Sequence, residues 1–538
     1  MSVSARSSRF RSFPRRPLSA RKRRTVLATL RTPPKALIIG LDGAGFDIID
    51  RLVSAGRLPN LAALLGAGAS APVDCTWPAH TAPGWSSFVT GRRPGGHGVY
   101  QFFDTQDPGY GAHIVGSSDL GCSSAWDWLA AQGWSLGLVN VPMSHPPRDL
   151  PGYQITWPLQ QTIRYCRPAG LLAELARNGV HFQSDLATMF RGDLGYLDEA
   201  VANVEARVRS LEYLMTAHPT DLVMAVLTEA DRVCHHYWHF WDPGHPRHAP
   251  APEGSGWDEA IERIYGALDD GVGRLLDMVG DETSIVVASD HGLGVGRYGV
   301  AVHRLLEDAG LLATVPAGGA RDGGQASWFA GARRSVDFGR TRVYMPVPGS
   351  YGLNVNLAGR QRDGVVAERD RAAVLAEAAA LLEDLRPPGR DGLPVFSAVV
   401  PRDVVYPGVN VGRAPDLLLV PRDESVLPIP DLEGPVWRPS WQTGLHRYQG
   451  MWIHRSPRVT PGRLAEPVRI VDLLPTLLAE LGASWPDSID GHPVPVVRER
   501  HARPLGPLAE DEVVAPAPAG PTEEDQYTSQ RLREMGYL

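Results

Sequence analysis

The chain has 538 residues, 43% hydrophobic and 21% charged, enough apolar mass for about three or four domains at ~150 residues each, which excludes a wholly disordered protein. No apolar run approaches the ~20 residues that a membrane-spanning helix needs. Residues 1–35 hold eleven Arg or Lys and no acid, so a net charge of −7 leaves −18 on the remainder, a balance that argues against binding duplex nucleic acid.

In chain order, residues 1–35 are expected to be a disordered basic arm, because their charge and lack of apolar periodicity cannot support packing. "RKRR" ahead of "TVLATL" has the start of a twin-arginine export signal. The apolar patch breaks at Arg31, whereas a signal needs a 7–15-residue apolar region and a cleavage site, so no cleaved signal is read and a cytoplasmic location is expected. Four short runs rich in Val, Ile and Leu follow at 36–41, 136–141, 222–227 and 285–288, as befits strands buried on both faces. Helical patterns lie among them at 46–54, 59–66 (opening on Pro59-Asn60) and 199–216. Another comes late, where Ile470, Leu473, Leu474, Leu477, Leu478 and Leu481 share one face. Strands alternating with helices predict a layered α/β fold.

Residues 143–220 carry few strand signals and several Pro-rich turns, and are expected to be an inserted cap. Residues 317–325, "AGGARDGGQ", predict a surface loop, and 501–538 a linker with a short amphipathic tail. Cys75, Cys122, Cys166 and Cys234 show no CxxC spacing and predict free thiols.

Chemistry gathers directly after the strand runs. "LIIGLDGAGFD" ends a strand with Asp42. "VMAVLTEADRVCHHYWHF" ends one with Asp231, and His235 follows four residues on. "IVVASDHG" ends one with Asp290 and His291, and "TGLHRYQGMWI" sets His446 ahead of a further apolar run. Carboxyl ends of strands form the ligand-binding edge of open α/β sheets, so residues this far apart can converge there. Three aspartates and three histidines suit a borderline divalent ion such as Zn²⁺, with Mn²⁺ or Fe also able to use such ligands. The stretch "CTWPAHTAPGWSSFVTGRRPGGHGVY" adds hydroxyls at Thr76, Thr81, Ser86, Ser87 and Thr90, any of which could cap, fill a turn or attack a substrate.

Taken together, Asp42, "TAPGWSSFVTGRRPGGHGV", "DRVCHHYW", "SDHG", "GLHR" and "LLPTLLAELGASWPDSIDG" resemble the alkaline phosphatase superfamily, in its type I phosphodiesterase/nucleotide pyrophosphatase branch. The resemblance implies one catalytic domain over 36–500, a three-layer α/β/α fold with a large, mostly parallel central sheet, and two divalent metal ions at the carboxyl edge. One ion would be held by Asp231, His235 and His446, the other by Asp42, Asp290, His291 and the nucleophile's oxygen. Family nucleophiles stand nine residues before the "TG" of this motif with Pro two after. Thr81 satisfies both through Thr90-Gly91 and Pro83, whereas Thr76 misses the spacing by five. Many nucleotide pyrophosphatases carry Asn three after the nucleophile; this chain has Gly84.

The implied activity is hydrolysis of a small phosphate-ester substrate, a phosphodiester or nucleotide pyrophosphate, through a phosphothreonine on Thr81. Alternatives are a phosphomonoesterase, phosphonate hydrolase or phospho-group transferase of the same superfamily, or a non-catalytic binding protein on this fold. A sulfatase is disfavoured, because "TAPGW" lacks the modified Cys or Ser and the Arg of that motif. His80 and His97 are expected to make local hydrogen bonds, and Arg232 and Arg447, which border ligands, either to meet phosphate oxygens or to form ordinary salt bridges.

Overall fold

The computed structural model describes residues 30, 32–111, 113–159, 162, 164–184, 194–317, 332–389 and 392–498. Almost all of the basic arm, the predicted loop at 317–325 apart from Ala317, and the tail from 501 lie outside them.

Eight strands lead from the start of the fold to the site: β1 (Ala36–Leu41), β2 (Ala69–Asp74), β3 (Leu136–Val139), β4 (Gly152–Ile155), β5 (Cys166–Arg167), β6 (Leu222–Leu227), β7 (Ser284–Ala288) and β8 (Gly292–Val295). Among the described residues the central sheet has ten strands. Across it run Gly462–Arg463, β2, Gln449–Arg455, β7, β1, β6, β3, β4 and β5, with Val468–Arg469 also on β2. From β7 to β4 every pairing is parallel. Gln449–Arg455 runs antiparallel between β2 and β7. The middle strands β7, β1 and β6 are in step, with Gly40 opposite Ala288 and Leu41 opposite Leu227. Their carboxyl ends therefore finish side by side.

Burial on both faces explains why β1 and β6 read as unbroken apolar runs. Leu37, Ile39 and Leu41 pack under Leu197–Ala217, Glu229–Trp241 and Ala260–Met278, whereas Ala36 and Ile38 face Trp85, Phe88 and the helix Ile470–Leu481. Two apolar layers enclose one sheet, the α/β/α arrangement expected. The helices α1 (Phe46–Ser54) and α2 (Pro59–Ala67) match their predicted spans; α2 starts on Pro59 itself, and the Asn60 amide bonds Asp269 instead of capping.

Residues 143–220 depart from the expected cap. Their described part adds β4 and β5 to the sheet edge and lays Leu197–Ala217 against Ala260–Met278. These strands are only four and two residues long, too short to show a period among the Pro-rich turns. A further unit lies between β8 and the strand Gly444–Arg447. It contains a four-stranded sheet (Val343–Tyr344, Gly352–Val355, Leu417–Pro421, Phe396–Pro401), the helix Arg371–Glu383 and an apolar core of its own.

Among the described residues no disulfide forms: Cys75, Cys166 and Cys234 are buried free thiols and Cys122 is half-buried. No helix among them is long and apolar enough to cross a membrane.

Candidate active site

Asp42 is the first residue after β1, and Asp290 and His291 follow β7 by two and three residues. Asp231 and His235 sit one turn apart on one face of Glu229–Trp241, the helix that follows β6. His446 arrives by another route. Its strand Gly444–Arg447 pairs antiparallel with β8, setting His446 opposite Leu293, and its ring stacks on His291 at 3.8 Å between centroids. Thr81 opens the helix α3 (Thr81–Thr90). His80 caps that helix by accepting the Ala82 amide at Nδ1, Pro83 occupies the first turn where no amide is needed, and Gly91 ends it with φ 61°. The nine-residue spacing from Thr81 to Thr90 is thus the length of one helix.

Each of the three ligand-type rings has its tautomer set by a carbonyl, which can only accept. His235 Nδ1 donates to Gly444 at 2.7 Å, His446 Nδ1 to Ala79 at 2.8 Å and His291 Nδ1 to Gly292 at 3.1 Å. In the neutral ring so oriented, each Nε2 carries a bare lone pair. Two of these face each other at 3.1 Å, and each lies 3.2 Å from Asp231 Oδ1. Three electron-rich atoms at the corners of such a triangle repel. A tetrahedral ion bonded to all three would sit about 1.9–2.0 Å from each, close to the ~2.0–2.1 Å of zinc–nitrogen bonds.

A second set adjoins the first through His291. Its Nε2 is 3.6 Å from Asp42 Oδ1 and 3.4 Å from Asp290 Oδ2, and the Thr81 hydroxyl lies 3.3 Å from the same nitrogen. Donor atoms of Asp42, Asp290 and His291, and of Asp231, His291 and His446, all come within 4.8 Å of one another in each set. Asp42 Oδ1, Asp231 Oδ1 and Asp290 Oδ2 are buried with no hydrogen-bond donor among the described residues. Burial and the neighbouring Asp290 and Asp231 push the Asp42 carboxyl well above its ordinary range, and burial and Asp231 do the same to Asp290. Burial alone would raise Asp231 too, but, with a proton on the facing imidazole nitrogens, His235 and His446 outweigh it and hold Asp231 well below, a positive charge that a bound cation would supply instead. Burial lowers the His291 and His446 imidazoles below their ordinary range. Three buried carboxylates facing imidazole nitrogens make a cluster that cations would complete. The donor set fits divalent metal.

All seven predicted site residues converge, and His446 is the least buried, its side chain 19% exposed where the others are nearly sealed. The flanking residues serve the frame. Thr76 donates to the Pro78 carbonyl, and His97 bonds Ser87 and the Val99 amide in the core. Arg447 braces backbone carbonyls of Glu424, Val295 and His446, and Arg232 stands 3.5 Å from Asp231. Trp85 went unrecognised in the sequence. Its indole N–H donates to Asp42 Oδ2 at 3.0 Å. The signal was Gly40 inside β1, where a Cβ would meet the Trp85 ring at 2.5 Å. Gly84 likewise has a reason: a Cβ there would lie 2.8 Å from Asp290 Cβ and 3.0 Å from its carbonyl. A cleft of about 980 Å³ nearby, lined by Trp77, Arg297, Arg422 and Arg447, contains none of the seven.

The family model for type I phosphodiesterase/nucleotide pyrophosphatase matches residues 36–449, from β1 through the strand that carries His446. The chain belongs to this family. Family membership makes it a hydrolase of the phosphodiesterase/nucleotide pyrophosphatase type, metal-dependent and acting on small phosphate esters. Among solved structures it is similar to murine ectonucleotide pyrophosphatase/phosphodiesterase 5, in an inactive form in complex with AMP, at 13% identity and a TM-score of 0.48 over 83% of this chain and 94% of that one. The human form of that protein is similar at 13% identity and 0.48, over 84% and 95%. No curated protein sequence matches significantly.

Proposed function

We propose that this family member cleaves a phosphodiester or pyrophosphate bond by attack of Thr81 Oγ on phosphorus. One divalent ion would be held by Asp231, His235 and His446 and a second by Asp42, Asp290, His291 and Thr81, zinc being the ion that this mixture of imidazole and carboxylate suits best. The observation that carries the reading is the hydroxyl of Thr81 lying 3.3 Å from His291 Nε2, an imidazole within 4.8 Å of donor atoms on Asp42 and Asp290 and on Asp231 and His446. Bound divalent ions would acidify that hydroxyl and offset charge on the phosphoryl oxygens.

The chain's own residues do the rest. Thr81 stands at the first position of α3, so the phosphoryl group would meet the positive end of a ten-residue helix. The Oγ–phosphorus bond forms as the bond to the leaving oxygen breaks, and the hydroxyl proton passes to solvent while the leaving oxygen is protonated. Water then attacks the phosphorylated Thr81, whose phosphorus still carries the substrate's second ester group, restoring the hydroxyl and releasing a phosphate monoester. Gly84 offers no side-chain amide to the phosphoryl oxygens, which leaves backbone N–H groups and the ions for that task.

The test is to quench turnover of a chromogenic diester and locate phosphate by mass spectrometry. Label is expected on Thr81. Thr81→Ala is expected to lose several orders of magnitude in turnover, because nucleophile and ion site act as a unit, and Thr81→Ser to retain part. Label on Thr76 or Ser86, or full activity in Thr81→Ala, refutes the assignment.

A further inference from the structure

The loop after Glu229–Trp241 carries a histidine that the chemistry above does not use. His245 is buried, 3% exposed. Its Nδ1 accepts the Arg247 amide at 2.9 Å, so the proton of the neutral ring sits on Nε2. That single N–H faces two carbonyls, Gly296 at 3.0 Å and Thr443 at 3.1 Å. Gly296 follows the end of β8 and Thr443 precedes the strand of His446, and the Gly296 amide itself donates to Thr443 at 2.7 Å. The ring therefore closes the open end of the ladder in which Gly444 pairs with Val295.

Thr443 is also tied to the other side of the site. Its amide and its hydroxyl both donate to the carbonyl of His235, at 2.6 and 3.2 Å, and the next carbonyl, Gly444, receives His235 Nδ1–H. One short segment thus joins the helix bearing His235 to the strand bearing His446, and His245 holds that segment from behind. Arg247, two residues on, donates to the Ser440 carbonyl of the same approach to the strand.

We infer that His245 is a positioning residue: by clamping Gly296 and Thr443 it sets the 3.1 Å separation of His235 Nε2 and His446 Nε2. The inference rests on the reading of Asp231, His235 and His446 as a cation site. Partners that orient ligands are typically worth about 10–100-fold in metal affinity.

Two substitutions separate the clamp from the turn. In His245→Gln the side-chain amide nitrogen lies three bonds beyond Cβ, as Nε2 does, and can reach the two carbonyls. In His245→Asn the side-chain oxygen replaces Nδ1 and keeps the Arg247 turn, but no donor reaches the carbonyls. The measurement is titration of the metal-stripped full chain with Co²⁺, read by visible absorption, with circular dichroism confirming the fold; the band absent from His446→Ala reports this site. The expected result is a parent-like band and affinity in His245→Gln, and a shifted band with affinity about 10–100-fold weaker in His245→Asn. Parent-like cobalt binding in His245→Asn, or equal losses in both variants, overturns the positioning role and leaves the cation site standing. A parent protein with no band beyond that of His446→Ala removes the cation reading and this inference with it.

Discussion

Replacing Trp85 by phenylalanine removes the one donor that holds the Asp42 carboxylate among the described residues. Oδ2 accepts the indole N–H at 3.0 Å, and Oδ1 has no donor among the described residues. A hydrogen bond to a charged, buried group is worth about 1.5–3 kcal/mol. At about 1.4 kcal/mol per tenfold, that is roughly a 10–150-fold loss of ion affinity at the Asp42, Asp290 and His291 set. The smaller ring also leaves a gap over Gly40, where the indole now packs closely. A void of roughly 40 Å³ at about 24 cal/mol per Å³ adds about 1 kcal/mol of general destabilisation. The two effects separate in the assay. Titration of metal-stripped protein with Zn²⁺ against a competing chelator should show the weaker phase at the Asp42 set, with the Asp231, His235 and His446 phase nearly unchanged. Thermal unfolding of the metal-free protein measures the packing cost by itself. Unchanged binding at both sets, or equal weakening of both, refutes the idea that Trp85 acts through Asp42.

Three further outcomes follow from the same contacts. Gly84→Ala should cost about 1–3 kcal/mol in denaturant unfolding and weaken ion binding, because the new methyl presses on Asp290, at the end of a central strand. Thr76→Ala should leave turnover close to that of the parent, since its hydroxyl is spent on the Pro78 carbonyl and not on the ion cluster. Stability should fall as pH drops from about 6.5 toward about 3, in part through His97, whose burial lowers it to about 3 in the folded chain. Between those values the unfolded chain binds the extra proton, at up to about 1.4 kcal/mol per pH unit. His97→Gln should flatten the slope of unfolding free energy against pH in that window, and an unaltered slope rejects this account.

The legible parts of the fold were those with covered faces. The runs 36–41 and 222–227 coincide with β1 and β6, because residues sealed on both sides must be apolar at every position. Elements that lean on a neighbour at a sheet edge carried no such mark. β4 and β5 hide among prolines, within the stretch whose turns predict a cap, and the four-stranded sheet within 298–439 is built from strands of two to six residues in mixed surroundings. Its four-residue strand Gly352–Val355, for instance, has only two residues paired to Leu417–Pro421.

In the site, Asp42, Asp231, Asp290 and His291 were legible because each closely follows a strand of the parallel core, where backbone direction alone puts side chains at one edge. Thr81 was legible only through the family resemblance, by Pro83 and the nine-residue spacing to Thr90-Gly91, a spacing that is the length of the helix it opens. What the linear order determined, then, was which chemical groups stand at which ends of which elements. Tertiary structure alone decided their contacts: the antiparallel pairing of Gly444–Arg447 with β8, which carries His446 across about 150 residues onto His291, the indole that reaches Asp42, and the closeness of Gly84 to Asp290. Those contacts depend on the side chains of other elements packed in three dimensions, and a local pattern records only what its own segment needs in order to fold.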